Sequence, residues 1–235
     1  MVKLHIPYQK MIGVWSFFLK FKNINNMKKL IIGIGIILLL GIATFFLFPQ
    51  LYFSSAFGQR IIMKIMNEQT AEFYFKSNSK DSLYMKGVIY SNTLKDLKAV
   101  LKENPNITTL IMEEVPGSID DNINLLASRE IRRRGINTYI PENGMVASGG
   151  TDMFLAGTKR NIGSNAKIGV HSWSDGEKEG REYPKDSELH NMFLVYYKEM
   201  NIPVEFYWFT LDAAPADGNH NMTPNEMKRY SILNQ

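Results

Sequence analysis

The chain contains no cysteine among its 235 residues. Disulfides and thiolate-held metal sites are therefore excluded, although this absence does not identify a redox compartment. It has no glycine-rich nucleotide-binding loop, so any ATP-driven step would belong to a separate protein. Internal repeats and low-complexity tracts are also missing. So is a basic face with interleaved aromatics. The net charge is +4 and the pI near 9.0, but the cations are thinly spread, and six of the lysines precede the apolar segment. The one compact run, Arg132-Arg133-Arg134, closes an expected helix just before Gly135. Cations there complement the helix dipole, and glycine serves as a C-cap. Nucleic acid is thus not an expected partner. His171, His190 and His220 have no metal-ligand spacing, so no metal or cofactor is expected. His190 and His220 are read as facing solvent.

A hydrophobic share of 45% and a charged share of 21% describe a folded protein. Residues 30–48, LIIGIGIILLLGIATFFLF, hold no charge. That length matches the ~20 residues needed to span a bilayer as a helix. A cleaved signal has a shorter apolar region of ~7–15 residues, which favours an anchor, while Ser54-Ser55-Ala56 leaves cleavage after export open. Lys20, Lys22, Lys28 and Lys29 precede the run, and Arg60 and Lys64 are the first cations after it. The positive-inside rule then keeps the N-terminus in the cytoplasm and sends the rest outside, to the periplasm or exterior of a bacterium. Met27-Lys28-Lys29 resembles the start of an export signal. The residues before it are either an upstream translation extension or an interfacial segment around Trp15, Phe17 and Phe18. The expected organisation is a cytoplasmic segment (1–29), an anchor (30–48), a membrane-proximal connector (49–82) and an α/β domain (83–235).

Within the domain, strands alternate with helices. Strands are expected at 86–91, 107–112, 136–140 and 167–171, after a strand-like stretch at 71–76 in the connector. Helices are expected at 93–102, 119–134, 148–157, 185–200 and 223–230, with a polar loop over 172–184. The alternation argues for βαβ units and a mainly parallel sheet. The aromatic run Phe206–Phe209 reads as packing or an oligomer contact.

Three segments fall at carboxyl ends of strands, where such folds place their sites. Val115-Pro116-Gly117-Ser118 can expose a backbone N–H at Gly117 without a side chain in the way. Ala147-Ser148-Gly149-Gly150 places Ser148 at a helix N-terminus, beside free N–H groups. Gly169-Val170-His171 ends a strand with a candidate base. Serine needs such a base to become a nucleophile. The N–H groups of Gly117 and Gly149 are the candidate oxyanion donors. Isolated, Ser148 would be read as an ordinary N-cap. The acidic residues Asp175, Glu177, Glu179 and Glu182 form a solvated loop or a lid beside the site.

The order PG-S, ASGG, then a strand ending in histidine resembles the Clp-protease/crotonase superfamily. The stretch from Phe154-Leu155-Ala156-Gly157 to Arg160, then Ile168-Gly169-Val170-His171-Ser172, resembles exported Clp-like proteins. The tail MTPNEMKRYSIL resembles the family's closing helix. The likeness covers about residues 86–233. It implies an α/β fold of the Clp/crotonase spiral type, preceded here by one transmembrane helix. It further implies a catalytic Ser148–His171 pair, an oxyanion hole at Gly117 and Gly149, peptide or protein substrates, and homo-oligomers. Ser118 stands where the family's turn has a second glycine, which is tolerable at negative φ. The position of the triad's acid falls near Asn219, with Asp217 two residues away and Asp212 further. A membrane-anchored, extracytoplasmic serine peptidase is the expectation. A catalytically degenerate scaffold that binds a partner at the membrane is the alternative. A crotonase-like thioester enzyme is a third reading, disfavoured because acyl-CoA substrates are cytoplasmic.

Overall fold

A computed structural model describes residues 24–47, 55–77 and 79–234. The chain divides into two units, Met1–Tyr52 and Phe53–Gln235. The described part of the first is a single helix, α1 (Ile24–Leu47). Among the described residues no helix is long and apolar enough to cross a membrane. The sequence of α1 is uncharged after Lys29. The anchor expected over 30–48 overlaps α1 as far as Leu47. The expected interfacial segment, Lys20, Lys22, Phe48 and Ser54 lie outside the described residues.

The second unit is a mixed α/β domain on one eight-stranded sheet. It begins with α2 (Ala56–Ile65), whose N-cap Ser55 accepts from Gly58 N–H at 3.0 Å. β1 (Glu72–Tyr74) then pairs antiparallel with β2 (Ser82–Lys86), and β2 lies parallel to β3 (Thr109–Val115). Residues 55–82, expected as a connector, thus already carry part of the sheet.

Besides β2, β3 serves two further neighbours. Its first residues pair with β4 (Asn137–Ile140), while Glu114 and Val115 pair with β5 (Met145–Ala147). β4 continues to β6 (Arg160–Ile162) and β5 to β7 (Lys167–Val170), all parallel. β7 ends against the short antiparallel β8 (His220–Asn221). The fork at β3 opens the sheet into two branches. Parallel neighbours need crossovers. Those between β2 and β3 and between β3 and β4 are α3 (Thr93–Glu103) and α4 (Asp121–Arg133), while α5 (Gly149–Leu155) carries the chain from β5 in one branch to β6 in the other. Alternate residues of the strands supply the core: Leu83 and Met85, Leu110 and Met112, then Val146 and Ile168, all buried.

Several elements depart from the sequence reading. The strand expected at 86–91 ends at Lys86, because Gly87 has φ +94° and a Cβ there would lie 2.7 Å from the Gln69 and Thr70 carbonyl oxygens. Val88 and Ile89 continue only as single bridges to Thr70 and Ser118. The helix expected over 185–200 is shorter, α6 (Asn191–Glu199), preceded by a 3₁₀ turn at Glu188–His190. The aromatic run sits inside α7 (Val204–Ala213), with Phe206 and Tyr207 buried. The chain closes with α8 (Pro224–Arg229), started by a Thr223–Glu226 capping box.

His190 is not solvent-facing. It is fully buried, with Nδ1 2.6 Å from Tyr207 Oη and Nε2 3.1 Å from the Pro184 carbonyl. That carbonyl can only accept, so Nε2 carries the hydrogen and Tyr207 donates to Nδ1. The Trp173 indole N–H in turn donates to Tyr207 at 2.9 Å. His220 is half-buried and pairs with Glu226 at 3.0 Å.

Candidate functional site

Ser148 occupies the sharp turn from β5 into α5, at φ 52° and ψ −128°. A non-glycine residue rarely adopts positive φ, and the strain persists only where surrounding structure imposes it. An N-cap serine would sit in extended backbone with its hydroxyl bonded to the first turn. Ser148 does neither: its side chain makes no cap bond. A strained strand-to-helix turn is also what exposes the nucleophilic serine of α/β-hydrolases. Its backbone is pinned from both sides. The Ser148 N–H donates to the Gly169 carbonyl at 3.1 Å, and its carbonyl accepts from Thr151 N–H at 2.8 Å.

Close approach explains the glycines. A Cβ on Gly117 would lie 3.5 Å from Ser148 Cβ and 3.8 Å from its Oγ, so the Pro-Gly turn reaches the serine. Ser118, next in the turn, keeps a negative φ. A Cβ on Gly149 would meet Ser118 Cβ at 2.6 Å. Neither the Gly117 nor the Gly149 N–H has an acceptor among the described residues.

Ser148, Gly149 and His171 line one cavity of about 40 Å³, together with Asp121, Asp152, Trp173, Tyr197 and Tyr207. His171 follows the end of β7, and its Nδ1 lies 2.7 Å from the Ser172 carbonyl oxygen. That carbonyl only accepts, so Nδ1 bears the hydrogen and Nε2 is the free base nitrogen. No hydrogen bond joins Ser148 to His171 among the described residues. Asn219 and Asp217 make none to the ring either. The Asn219 amide donates to Asn221 Oδ1 at 3.1 Å, and its oxygen lies 2.2 Å from where a Cβ on Gly169 would be. Asp217 and Asp212 are exposed. In the acidic loop, Asp175 accepts from Tyr183, and Glu179 and Glu182 cap one another across a 3₁₀ turn.

Sequence reasoning passed over Asp121 and Asp152. Asp121 opens α4, and its Oδ1 accepts from Ser118. Burial raises its carboxyl pKa, opposed by the Ser118 hydroxyl. Asp152 accepts from Tyr197 Oη at 2.5 Å. Burial pushes its pKa up to about 7, and the Asp121 charge adds to the rise. The available signal was an acid, Asp152, directly before the wholly apolar stretch Met153–Ala156.

A buried acid with a raised pKa makes stability depend on pH. Between the unfolded carboxyl value near 4 and about 7, the folded state holds the proton more tightly than the unfolded chain. Stability should therefore fall as pH rises through that window and level off above it. Asp152→Asn keeps the acceptor for Tyr197 and removes the titration. Its melting temperature should exceed that of the native chain most at pH 8, with the gap closing toward pH 4. A gap independent of pH would contradict the assignment of the proton to Asp152.

No family model and no curated protein matches the chain. Among solved structures, it is similar to a mutant of the 1510-N membrane-bound stomatin-specific protease in complex with a substrate peptide. That match has 18% identity, covers 66% of this chain and 74% of that one, and has a TM-score of 0.43. It is also similar to the ClpP protease catalytic domain from Plasmodium falciparum, at 18% identity over 63% and 82% of the chains, with a TM-score of 0.40. A third is an enoyl-CoA hydratase from Geobacillus kaustophilus, at 15% identity over 69% of both chains, with a TM-score of 0.36. All three likenesses are low, and the functional reading rests on the site itself.

Proposed function

We propose that the protein is a membrane-anchored serine hydrolase acting on peptides outside the cytoplasm. The observation that carries it is the backbone of Ser148, held at positive φ with no capping bond from its hydroxyl, in a cavity shared with His171. In this reading, Nε2 of His171 takes the Ser148 proton, and the N–H groups of Gly117 and Gly149 hold the oxyanion. The Ser172 carbonyl fixes the imidazole tautomer. The anchor and its direction rest on the uncharged run and its lysine flank. Phe57, Ile61 and Ile65, four apart and exposed along α2, fit a helix lying near lipid. Self-association is proposed from the resemblance alone.

Reaction of the full chain with a fluorophosphonate tests the chemistry. Labelling should be lost in Ser148→Ala and fall at least about a hundredfold in His171→Ala, the usual scale for a general base. A degenerate scaffold is the second reading. It is favoured by the missing Ser148–His171 hydrogen bond and by the lack of a carboxylate on Nδ1. Absent labelling in a folded chain, at a pH where histidine is neutral, would select it.

A further inference from the structure

His171 lacks the carboxylate that a hydrolytic histidine ordinarily leans on. Its Nδ1 is committed to the Ser172 carbonyl, a dipole that orients the ring but carries no full negative charge. An imidazolium formed during catalysis therefore needs a counter-charge from elsewhere. The ionisable groups on the cavity wall are Asp121 from α4, Asp152 from α5, Tyr197 from α6 and Tyr207 from α7. The two phenols are uncharged at neutral pH. Asp152 is bonded by Tyr197 and its burial favours the neutral acid.

Asp121 is placed differently. One of its oxygens accepts from Ser118, and the other has no partner among the described residues. Ser118 also packs against Gly149, the residue after Ser148. One short segment thus brings Gly117 to the serine and Asp121 to the histidine's cavity. The serine that departs from the Pro-Gly-Gly pattern is the residue that holds the acid.

We propose that Asp121, fixed by Ser118, is the positioning residue that supplies the counter-charge to His171. The inference rests on the hydrolase reading of Ser148 and His171. As Ser148 Oγ bonds to the substrate's carbonyl carbon, its proton passes to Nε2, and the imidazolium is stabilised by the Asp121 carboxylate. The same proton then leaves with the amine as the C–N bond breaks. Burial raises the Asp121 carboxyl pKa and the neighbouring Asp120 adds to the rise, while an imidazolium at His171 opposes it.

The test is an NMR titration of the His171 ring in the full chain, with His171→Ala identifying its signal among the four histidines. Asp121→Asn keeps an acceptor for Ser118 and removes the charge. It should lower the His171 midpoint, the direction in which losing a nearby opposite charge moves a histidine. Asp121→Glu should restore most of it, and Ser118→Ala should move it the same way by less. Fluorophosphonate labelling of Asp121→Asn should extend to lower pH, with the plateau rate down about tenfold. A residue that only braces the fold would reduce labelling without moving the acid limb. An unmoved midpoint in Asp121→Asn, or an equal shift in Asp217→Asn, would overturn the proposal. A native chain that never labels would overturn the hydrolase reading instead, while the titration still decides the Asp121–His171 coupling.

Discussion

Gly150→Ala is expected to cost about 3 kcal/mol or more, enough to unfold a chain of ordinary stability on mild heating. The added Cβ would lie 2.0 Å from the Val115 carbonyl oxygen. That neighbour is backbone at the end of β3, so no rotamer change relieves the clash. α5 must then move off the strand that leads into the Pro116-Gly117 turn. The denaturation midpoint measures the effect. Two other glycines serve as comparisons. Gly135→Ala meets nothing within 4 Å and should cost only the strain of φ +69°, about 1 kcal/mol. Gly117→Ala fits at ordinary contact distance of Ser148, so it should spare the fold while slowing fluorophosphonate labelling. Equal destabilisation by all three would contradict the packing described.

Removing the Arg160 guanidinium is the second change with a large expected effect. Only 3% of Arg160 is exposed. Its Nε donates to the Ile232 carbonyl at 2.7 Å and its Nη2 to the Ser231 carbonyl at 3.0 Å, while Nη1 reaches Gly157 at 3.3 Å. Burial, with a smaller contribution from Arg132, brings its pKa down to about 10, so it remains charged at neutral pH. These bonds tie the chain after α8 to the end of α5. Arg160→Ala leaves several buried carbonyls without donors and should cost roughly 3 kcal/mol. Arg160→Lys keeps the charge but not the fork of donors, and should fall between the two. Melting temperature gives the loss, and early trimming of the C-terminus by carboxypeptidase gives its location. A variant that melts with the native chain would contradict this role.

Arg160 also illustrates what the sequence made legible. The stretch from Phe154 to Arg160 was noticed as part of a resemblance, and the structure gives its arginine a structural task. The alternation of strands and helices announced the parallel sheet, because buried strands and capped helices carry strong local signals. The Thr223–Glu226 box and the Arg132–Gly135 helix end were equally local. The short strands β5, β6 and β8, of two or three residues, were not legible, since their pairing depends on partners distant in sequence. Gly87 ended a strand early through a close approach to residues 69 and 70, which no window around position 87 contains.

The candidate site divided in the same way. Ser148, His171 and the two glycine turns stood out by residue type and order. Asp121 and Asp152 did not, because an acid at a helix start has an ordinary explanation. Only the fold brings them to the wall of a cavity that also holds the histidine. His190 was misread for the converse reason. Its burial depends on Tyr207 and Pro184, and its immediate neighbours in sequence are polar or half-exposed.

The most direct measurement of the central claim is mass-spectrometric mapping of the full chain after fluorophosphonate treatment. The account predicts a single adduct on the peptide containing Ser148, formed faster as His171 loses its proton and absent from the denatured protein. No adduct on folded protein, or an adduct on another serine with Ser148 unmodified, would contradict it.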